Sequence, residues 1–170
     1  PPPRPRTRSS GWPGVVQPGS VNTDLVMNLD YAQTLLDIGD VAAPAAMQGH
    51  SFVPLLEGAT PPHWRDAIYY QYFAYPDWHM VHRQYGIRTH QYKLIHYYEV
   101  GEWELFDLPR DPNELDSVYD HPSYALVVQE LKRRLADLRR QYDVPAADPV
   151  PHTPFVAPEG LRRPESQRHH

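Results

Sequence analysis

From Arg65 to Asp120 the chain is dense in tyrosine and β-branched residues that alternate or cluster, and eight of the 12 tyrosines lie between Tyr69 and Tyr98. Such side chains fit a pleated, half-buried surface, which predicts strands over about Ala67 to Phe73, Val81 to Thr89, Tyr92 to Tyr98 and Glu102 to Asp107. Only His90 and Gln91 separate the second strand from the third, too short a link for anything but an antiparallel hairpin. Glu99-Val100-Gly101 supplies the next turn, with Gly101 free to take positive φ. The four strands therefore read as a meander.

The rhythm changes after the sheet. Tyr124, Val127, Val128, Leu131, Leu135, Leu138 and Tyr142 recur every three or four residues, the stripe of a long helix that Pro122 opens well. Lys132, Arg133, Arg134, Arg139 and Arg140 are assigned to its wet face and C-terminal half, where cations suit the helix dipole. The sheet needs a cover, and this stripe supplies one.

Upstream the signals are shorter. Val21 to Met27 reads as a short strand, and Asn28 as the N-cap of a helix over about Leu29 to Ile38. Leu29, Ala32, Leu35 and Leu36 mark that helix's inner face, and Gly39 its stop. Ser51 then caps a helical turn with Phe52, Leu55 and Leu56 facing inward. The fold class predicted is α+β: a small antiparallel four-stranded β-meander packed by a long C-terminal helix, preceded by a short strand and helix.

The two faces of the first strand carry Ala67, Tyr69, Gln71, Phe73 and Ile68, Tyr70, Tyr72, and neither is polar. Both want a partner, yet one helix covers one face. The segment Val21 to Leu56 is too small to cover the other fully, so apolar surface is expected to stay exposed in this chain alone.

Composition sets limits. The 20 prolines concentrate at the two ends, so residues 1–20 and 144–170 read as tails that cannot bury enough apolar surface to offset ordering entropy. Between them, 21–64 and 65–143 are the expected structural units. A net charge of −5 argues against a binder dominated by phosphate contacts. The absence of cysteine excludes disulfides and thiolate sites. No window reaches the roughly 18 apolar residues of a membrane span, and no apolar signal region stands at the N-terminus. The chain starts at Pro1 rather than Met and is expected to be part of something longer.

No catalytic constellation emerges from spacing. His79 and His82 stand three apart in strand or loop context without a third ligand, so no metal site is assigned. Asp107, Asp111 and Glu114 fail the spacing of a calcium loop, and Asp111-Pro112-Asn113 reads as an Asx-type turn. Arg88 and Lys93, flanking the hairpin turn, read as salt-bridging residues.

Taken together, several pieces resemble a known family: DYAQTLLD at 30–37, MQGHSFVPLL at 47–56, RTHQYKLI at 88–95 and ELFDLPRDPNEL at 104–115. The chain resembles the C-terminal region of carbohydrate sulfatases, alkaline-phosphatase-like hydrolases of sulfate esters, over about Trp12 to Tyr142. The resemblance implies that 21–64 is a remnant of the larger α/β sulfatase domain and that 65–143 is the C-terminal subdomain closing the substrate pocket. It implies a sulfated glycan as substrate, a missing N-terminal sulfatase domain as partner, and calcium and formylglycine as cofactors of the complete protein. Here there is no Cys, no Ser-x-Pro-Ser-Arg and no Asp-Asn pair, so this chain is expected to be inactive alone, with no catalytic residue assigned. The family's usual apolar strand before the Trp-Pro-Gly turn is replaced by PPPRPRTRSSG, read as a truncation or frame disruption near Gly11.

The resemblance also places the loop Ala74 to Met80 at the pocket mouth. His79 is its leading candidate for a substrate contact, followed by Trp78 and Tyr75, because aromatic faces stack on sugar rings and imidazole donates to hydroxyl or sulfate oxygens. The competing reading is a free-standing carbohydrate- or protein-binding module that uses the aromatic sheet. The family is often periplasmic, lysosomal or secreted, and the sequence assigns no compartment.

Overall fold

In a computed structural model, which describes residues 11–75 and 81–148, the chain folds as α1 (Asp30–Ile38), α2 (Val53–Leu56), β1 (Ala67–Tyr72), β2 (Gln84–Thr89), β3 (Tyr92–Tyr97), β4 (Glu102–Asp107) and α3 (Ala125–Gln141). The fold is α+β, as expected. The strands form one antiparallel sheet in the order β1-β2-β3-β4. Gly101 takes φ +72° in the turn between β3 and β4.

The register puts Ala67 and Tyr69, Tyr85 and Ile87, Leu94 and Leu105 on one face, where they meet Leu131 and Leu135 of α3. Ile87, Leu94 and Leu105 are fully buried there. Burying each such side chain contributes about 1.5–3 kcal/mol, so this stripe-on-sheet contact is the main source of stability. Val127, Val128, Leu138 and Tyr124 flank it. Pro122 opens a 3₁₀ turn over Pro122–Tyr124 that runs into α3. Two cations assigned to the wet face turn inward: Lys132 lies 4.2 Å over Trp103, and Arg139 lies 4.4 Å over Tyr85. Their long apolar stems cover the edge of the sheet while the charges meet aromatic faces.

The opposite face carries Tyr70, Gly86, Lys93, Ile95, Tyr97 and Phe106, and no helix among the described residues packs across it. Tyr70 lies over Gly86, and its hydroxyl is buried with no hydrogen-bond partner among the described residues. Burial holds its pKa far above the ordinary tyrosine value. Glu114 returns beneath this face to pair with Lys93 and, at 3.6 Å, with Arg88, as the salt-bridge reading expected. Asp111 Oδ2 accepts from the backbone N–H groups of Leu115 (2.7 Å) and Asp116 (2.9 Å), four and five positions on, a longer reach than the two residues of the Asx-type turn expected. These amides, that of Asp116 foremost, hold its carboxyl below the usual range.

The N-terminal unit departs from expectation in several ways. Val21 to Met27 forms no strand: no neighbouring strand offers it a ladder, and the Asn22 side chain accepts from Asp24 N instead (2.7 Å). Asn28 does not cap α1; the helix starts behind Leu29 without a side-chain cap. The positive-φ residue past the helix is Asp40 rather than Gly39.

The buried face of α1 is polar. Asp30 and Thr34 are its buried residues, whereas Leu35 is 68% exposed and Leu29, Tyr31 and Ile38 also face out. Asp30 forms an ion pair with Arg65 (Nη2 to Oδ1 2.7 Å) and accepts from Met27 N (2.6 Å) and His50 N (2.9 Å). Thr34 Oγ1 accepts from Phe52 N (3.0 Å), and Ser51 Oγ donates to Asp37 (2.5 Å). Asp30, Thr34 and Asp37 thus recognise the backbone and hydroxyl of the loop from Gly49 to Phe52. Gly49 packs directly on the Leu29 carbonyl, where a Cβ would lie 2.2 Å from its oxygen.

Apolar surface is exposed on the outward face of α1 rather than on the second face of the sheet, where it was expected and where Ile95 and Phe106 are buried. With Trp12, Phe52 and Leu56 that face of α1 lines a groove. The purified chain is expected to bind a hydrophobic dye, and the double substitution Leu35→Glu/Ile38→Lys to remove about half of that fluorescence without lowering the melting temperature. Unchanged dye binding would place the sticky surface elsewhere. No helix among the described residues is long and apolar enough to cross a membrane.

Candidate functional site

The connection between β1 and β2 runs from Phe73 to Arg83. Its described ends meet at one buried cation. Arg83, 5% exposed, precedes β2 and donates from Nε to the Phe73 carbonyl (2.7 Å) and from Nη2 to the Tyr75 carbonyl. Its Nη1 pairs with Glu99 Oε1 (2.5 Å) on the turn between β3 and β4. The planar guanidinium suits this task, because its fork of donors meets several acceptors at fixed angles. Both ends of the loop are thereby joined to each other and to the neighbouring turn.

Of the three residues singled out from the sequence, Tyr75 is placed: its ring lies 4.3 Å from that of His82, so the two sides of the loop meet through aromatic contact. Trp78 and His79 lie outside the described residues. Sequence reasoning missed Arg83 and Glu99. It placed Arg83 within a strand beginning at Val81, whereas β2 begins at Gln84. Nothing local marks an arginine as a clamp when its carboxylate is sixteen positions away and its other acceptors are main-chain carbonyls.

A second polar cluster stands at the same end of the sheet, on the α3 side. Tyr85 Oη donates to Asp148 Oδ1 (2.8 Å), accepts from Arg139 Nη1 (2.9 Å), and lies 2.9 Å from His96 Nδ1. A phenol has one proton, and here Asp148 takes it; the imidazole must then donate from Nδ1. Burial, followed by the hydrogen bond to Asp148, raises the Tyr85 pKa, and burial lowers that of His96. His96 also stacks on Trp103 at 4.0 Å. The cluster binds β2, β3, α3 and the segment after it into one block. Every one of these groups already has an internal partner, which makes its role structural.

The donor set does not suit a metal or a formylglycine. Among the described residues no three His, Cys, Asp or Glu side chains are grouped to hold a metal ion, and the chain has neither a cysteine nor a Ser-x-Pro-Ser-Arg motif to convert. The nearest approach to an acidic cluster, around Asp111, spends its carboxylate oxygen on backbone amides. What the described residues show at this end of the sheet is a loop whose two ends meet at the Arg83 guanidinium.

A small antiparallel meander backed by one long helix, with a braced loop at one end, is the accessory C-terminal unit of an alkaline-phosphatase-like hydrolase. The family model described as N-sulphoglucosamine sulphohydrolase, C-terminal, matches residues 9–141, and the chain belongs to that family. It is 42% identical over 134 residues to the N-acetylglucosamine-6-O-sulfatase of Bacteroides thetaiotaomicron, a match spanning 77% of this chain and 24% of that protein. It is 36% identical over 78 residues to human N-sulphoglucosamine sulphohydrolase, spanning 45% and 14%. A solved structure described as a complex with its substrate D-glucosamine-2-N,6-O-disulfate superimposes with TM-score 0.74 at 41% identity, over 78% of this chain and 27% of that one. The chain therefore spans about a quarter of the length of these two sulfatases.

Proposed function

We propose that this chain serves as the C-terminal region of a carbohydrate sulfatase, closing the pocket around a sulfated sugar and contributing to its wall through the β1–β2 loop. Hydrolysis of the sulfate ester in this reading belongs to the complete protein, which supplies formylglycine and calcium from other segments; this chain alone turns nothing over. Residues 21–64 act as the join to the larger domain, and 65–143 as the pocket-closing subdomain. One observation carries the reading: the part of the chain matched to the sulfatase family contains a loop whose two ends are locked by a buried arginine. Locking a loop costs conformational entropy, and such an expense is sensible where side chains must meet a ligand in fixed geometry. The outward apolar face of α1 supports the same reading over that of a free-standing module, because a module standing alone has no use for it.

The sugar is expected to be a sulfated amino sugar, since the 42% identical relative and the solved structure at 41% identity carry such sugars in their descriptions. The test joins this chain to the N-terminal three-quarters of the 42% identical relative, replacing that protein's own C-terminal region. The chimera is expected to hydrolyse N-acetylglucosamine-6-sulfate, whereas the chain alone shows no turnover above background. Within the chimera, His79→Ala and Trp78→Ala are each expected to lower kcat/KM about tenfold or more, the loss that follows from a missing sugar contact. Unaltered kinetics in both variants would remove the loop from the substrate wall.

A further inference from the structure

We infer that the outward face of α1 seats the part of the sulfatase that precedes this chain, and that the seated surface is an apolar ridge flanked by cations. The inference rests on the reading above and names the surface through which the two parts meet. It starts from a groove of about 340 Å³ between α1 and α2. Tyr31, Leu35 and Ile38 line it from α1, Phe52 and Leu56 from the other side, and Trp12 completes it. Leu35 is 68% exposed and Ile38 44%, so side chains that water solvates poorly are left facing it.

The groove has fixed walls. The polar side of α1 holds the loop Gly49 to Phe52 through Asp30, Thr34 and Asp37, and this sets the Phe52 ring edge-on to that of Tyr31, with centroids 5.2 Å apart. Trp12 is held by a turn in which the N–H groups of Val15 (3.0 Å) and Val16 (2.9 Å) donate to its carbonyl. Apolar side chains ordered on both walls and left in water mark a surface that meets another.

Two observations identify the occupant. The first is length. The family match, described as C-terminal, starts at residue 9, and the 42% identical relative and the solved structure at 41% identity each have about three-quarters of their length outside the match. The groove is lined by Gly11 and Trp12, at the start of the matched stretch, so the preceding part of a sulfatase joins the chain beside it. The second is charge. Between Gly11 and Trp64 there is no lysine or arginine, while Asp24, Asp37, Asp40 and Glu57 make this unit acidic; the charge of Asp30 is met by Arg65. A second copy seated by the same face would set acid against acid, which costs like-charge repulsion. The cations of α3 in a second copy are engaged already: Arg133 with Glu130 and Asp137, Arg134 with Asp66, Arg140 with Asp137. An apolar ridge flanked by lysine or arginine on the preceding part satisfies both the groove and its rim.

The test is hydroxyl-radical footprinting, read by mass spectrometry, of the 170-residue chain and of its chimera with the sulfatase relative. In the chimera, oxidation of Leu35, Ile38 and Trp12 is expected to slow about tenfold relative to the chain alone, as at the dry centre of an interface. Leu126 on α3, 79% exposed, serves as the control that keeps its rate. Leu35→Glu/Ile38→Lys is expected to leave the melting temperature of the chain alone unchanged and to restore fast oxidation of Trp12 in the chimera. Leu35→Ala guards against a chimera variant that fails to fold, and is expected to lower the chimera's melting temperature by about 2 °C or more. Glu57→Lys is expected to lower it in low salt more than in high salt; indifference to that change would overturn the cationic flank. Unslowed oxidation at Leu35 and Ile38 in a chimera that turns over N-acetylglucosamine-6-sulfate would overturn the inference and leave the pocket reading standing. Slowed oxidation in a folded chimera without turnover would do the reverse. Sedimentation of the chain alone as a dimer that Leu35→Glu/Ile38→Lys abolishes would assign the groove to a second copy and overturn the inference.

Discussion

Asp30→Ala is expected to cost the folded chain about 3–5 kcal/mol, the scale on which breaking a buried ion pair acts when the partner charge stays behind. Asp30 is fully buried and carries four contacts: two from the Arg65 guanidinium and two from the main-chain amides of Met27 and His50. Removing it leaves a nearly buried cation without compensation and two N–H groups without acceptors. The double variant Asp30→Leu/Arg65→Leu separates these terms. It removes the stranded charge yet leaves both amides unpaired, so it should recover part of the loss and not all of it. Chemical denaturation of the three proteins reads the result. A loss below about 1 kcal/mol for the single variant would mean that Arg65 escapes to water once its partner is gone. The consequence reaches beyond stability, because Arg65 leads directly into β1, and β1 leads into the clamped loop.

Gly86→Ala is the second large effect, expected at about 3 kcal/mol or more, the upper range for overpacking a core. A Cβ at this position would lie 2.2 Å from the Leu94 carbonyl oxygen and 2.6 Å from the Tyr70 hydroxyl. The first obstacle is backbone of the neighbouring strand and cannot swing away. The second is a ring that crosses the sheet face through the space the missing side chain leaves. Adding Tyr70→Leu clears the ring but not the carbonyl, so the double variant should remain well below the parent in melting temperature. Full recovery in the double variant would show that the ring alone demands glycine. Since β2 pairs with both β1 and β3, any shift at Gly86 also moves the strand that follows the Arg83 clamp.

The periodicities carried much of the fold. A two-residue rhythm of tyrosine and β-branched residues specifies strands whatever surrounds them, and a seven-position apolar stripe specifies α3, because burial against one another is the outcome that satisfies both. The meander order followed from connections too short to cross the sheet. α1 misled for an equally physical reason. Its leucines obey the helical period, but period reveals which residues share a face and not which face is covered. Asp30 and Thr34 occupy the buried side because the loop Gly49 to Phe52 presents backbone donors there, and Leu35 is left in water in this chain. The motif from Asp30 to Asp37, one of those that the family resemblance rests on, thus holds the loop Gly49 to Phe52.

The sequence by itself determined the fold class, the meander, the covering helix and, through its motifs, the family, since all of these depend on local pattern and short connections. Only the tertiary structure revealed the Arg83 clamp, the Asp30–Arg65 pair and the space that Tyr70 requires at Gly86. Each joins groups 8 or more residues apart. An arginine, an aspartate or a glycine looks the same in a sequence whether it faces water or holds two segments together, and the partner that decides between these is chosen by how the chain folds back on itself.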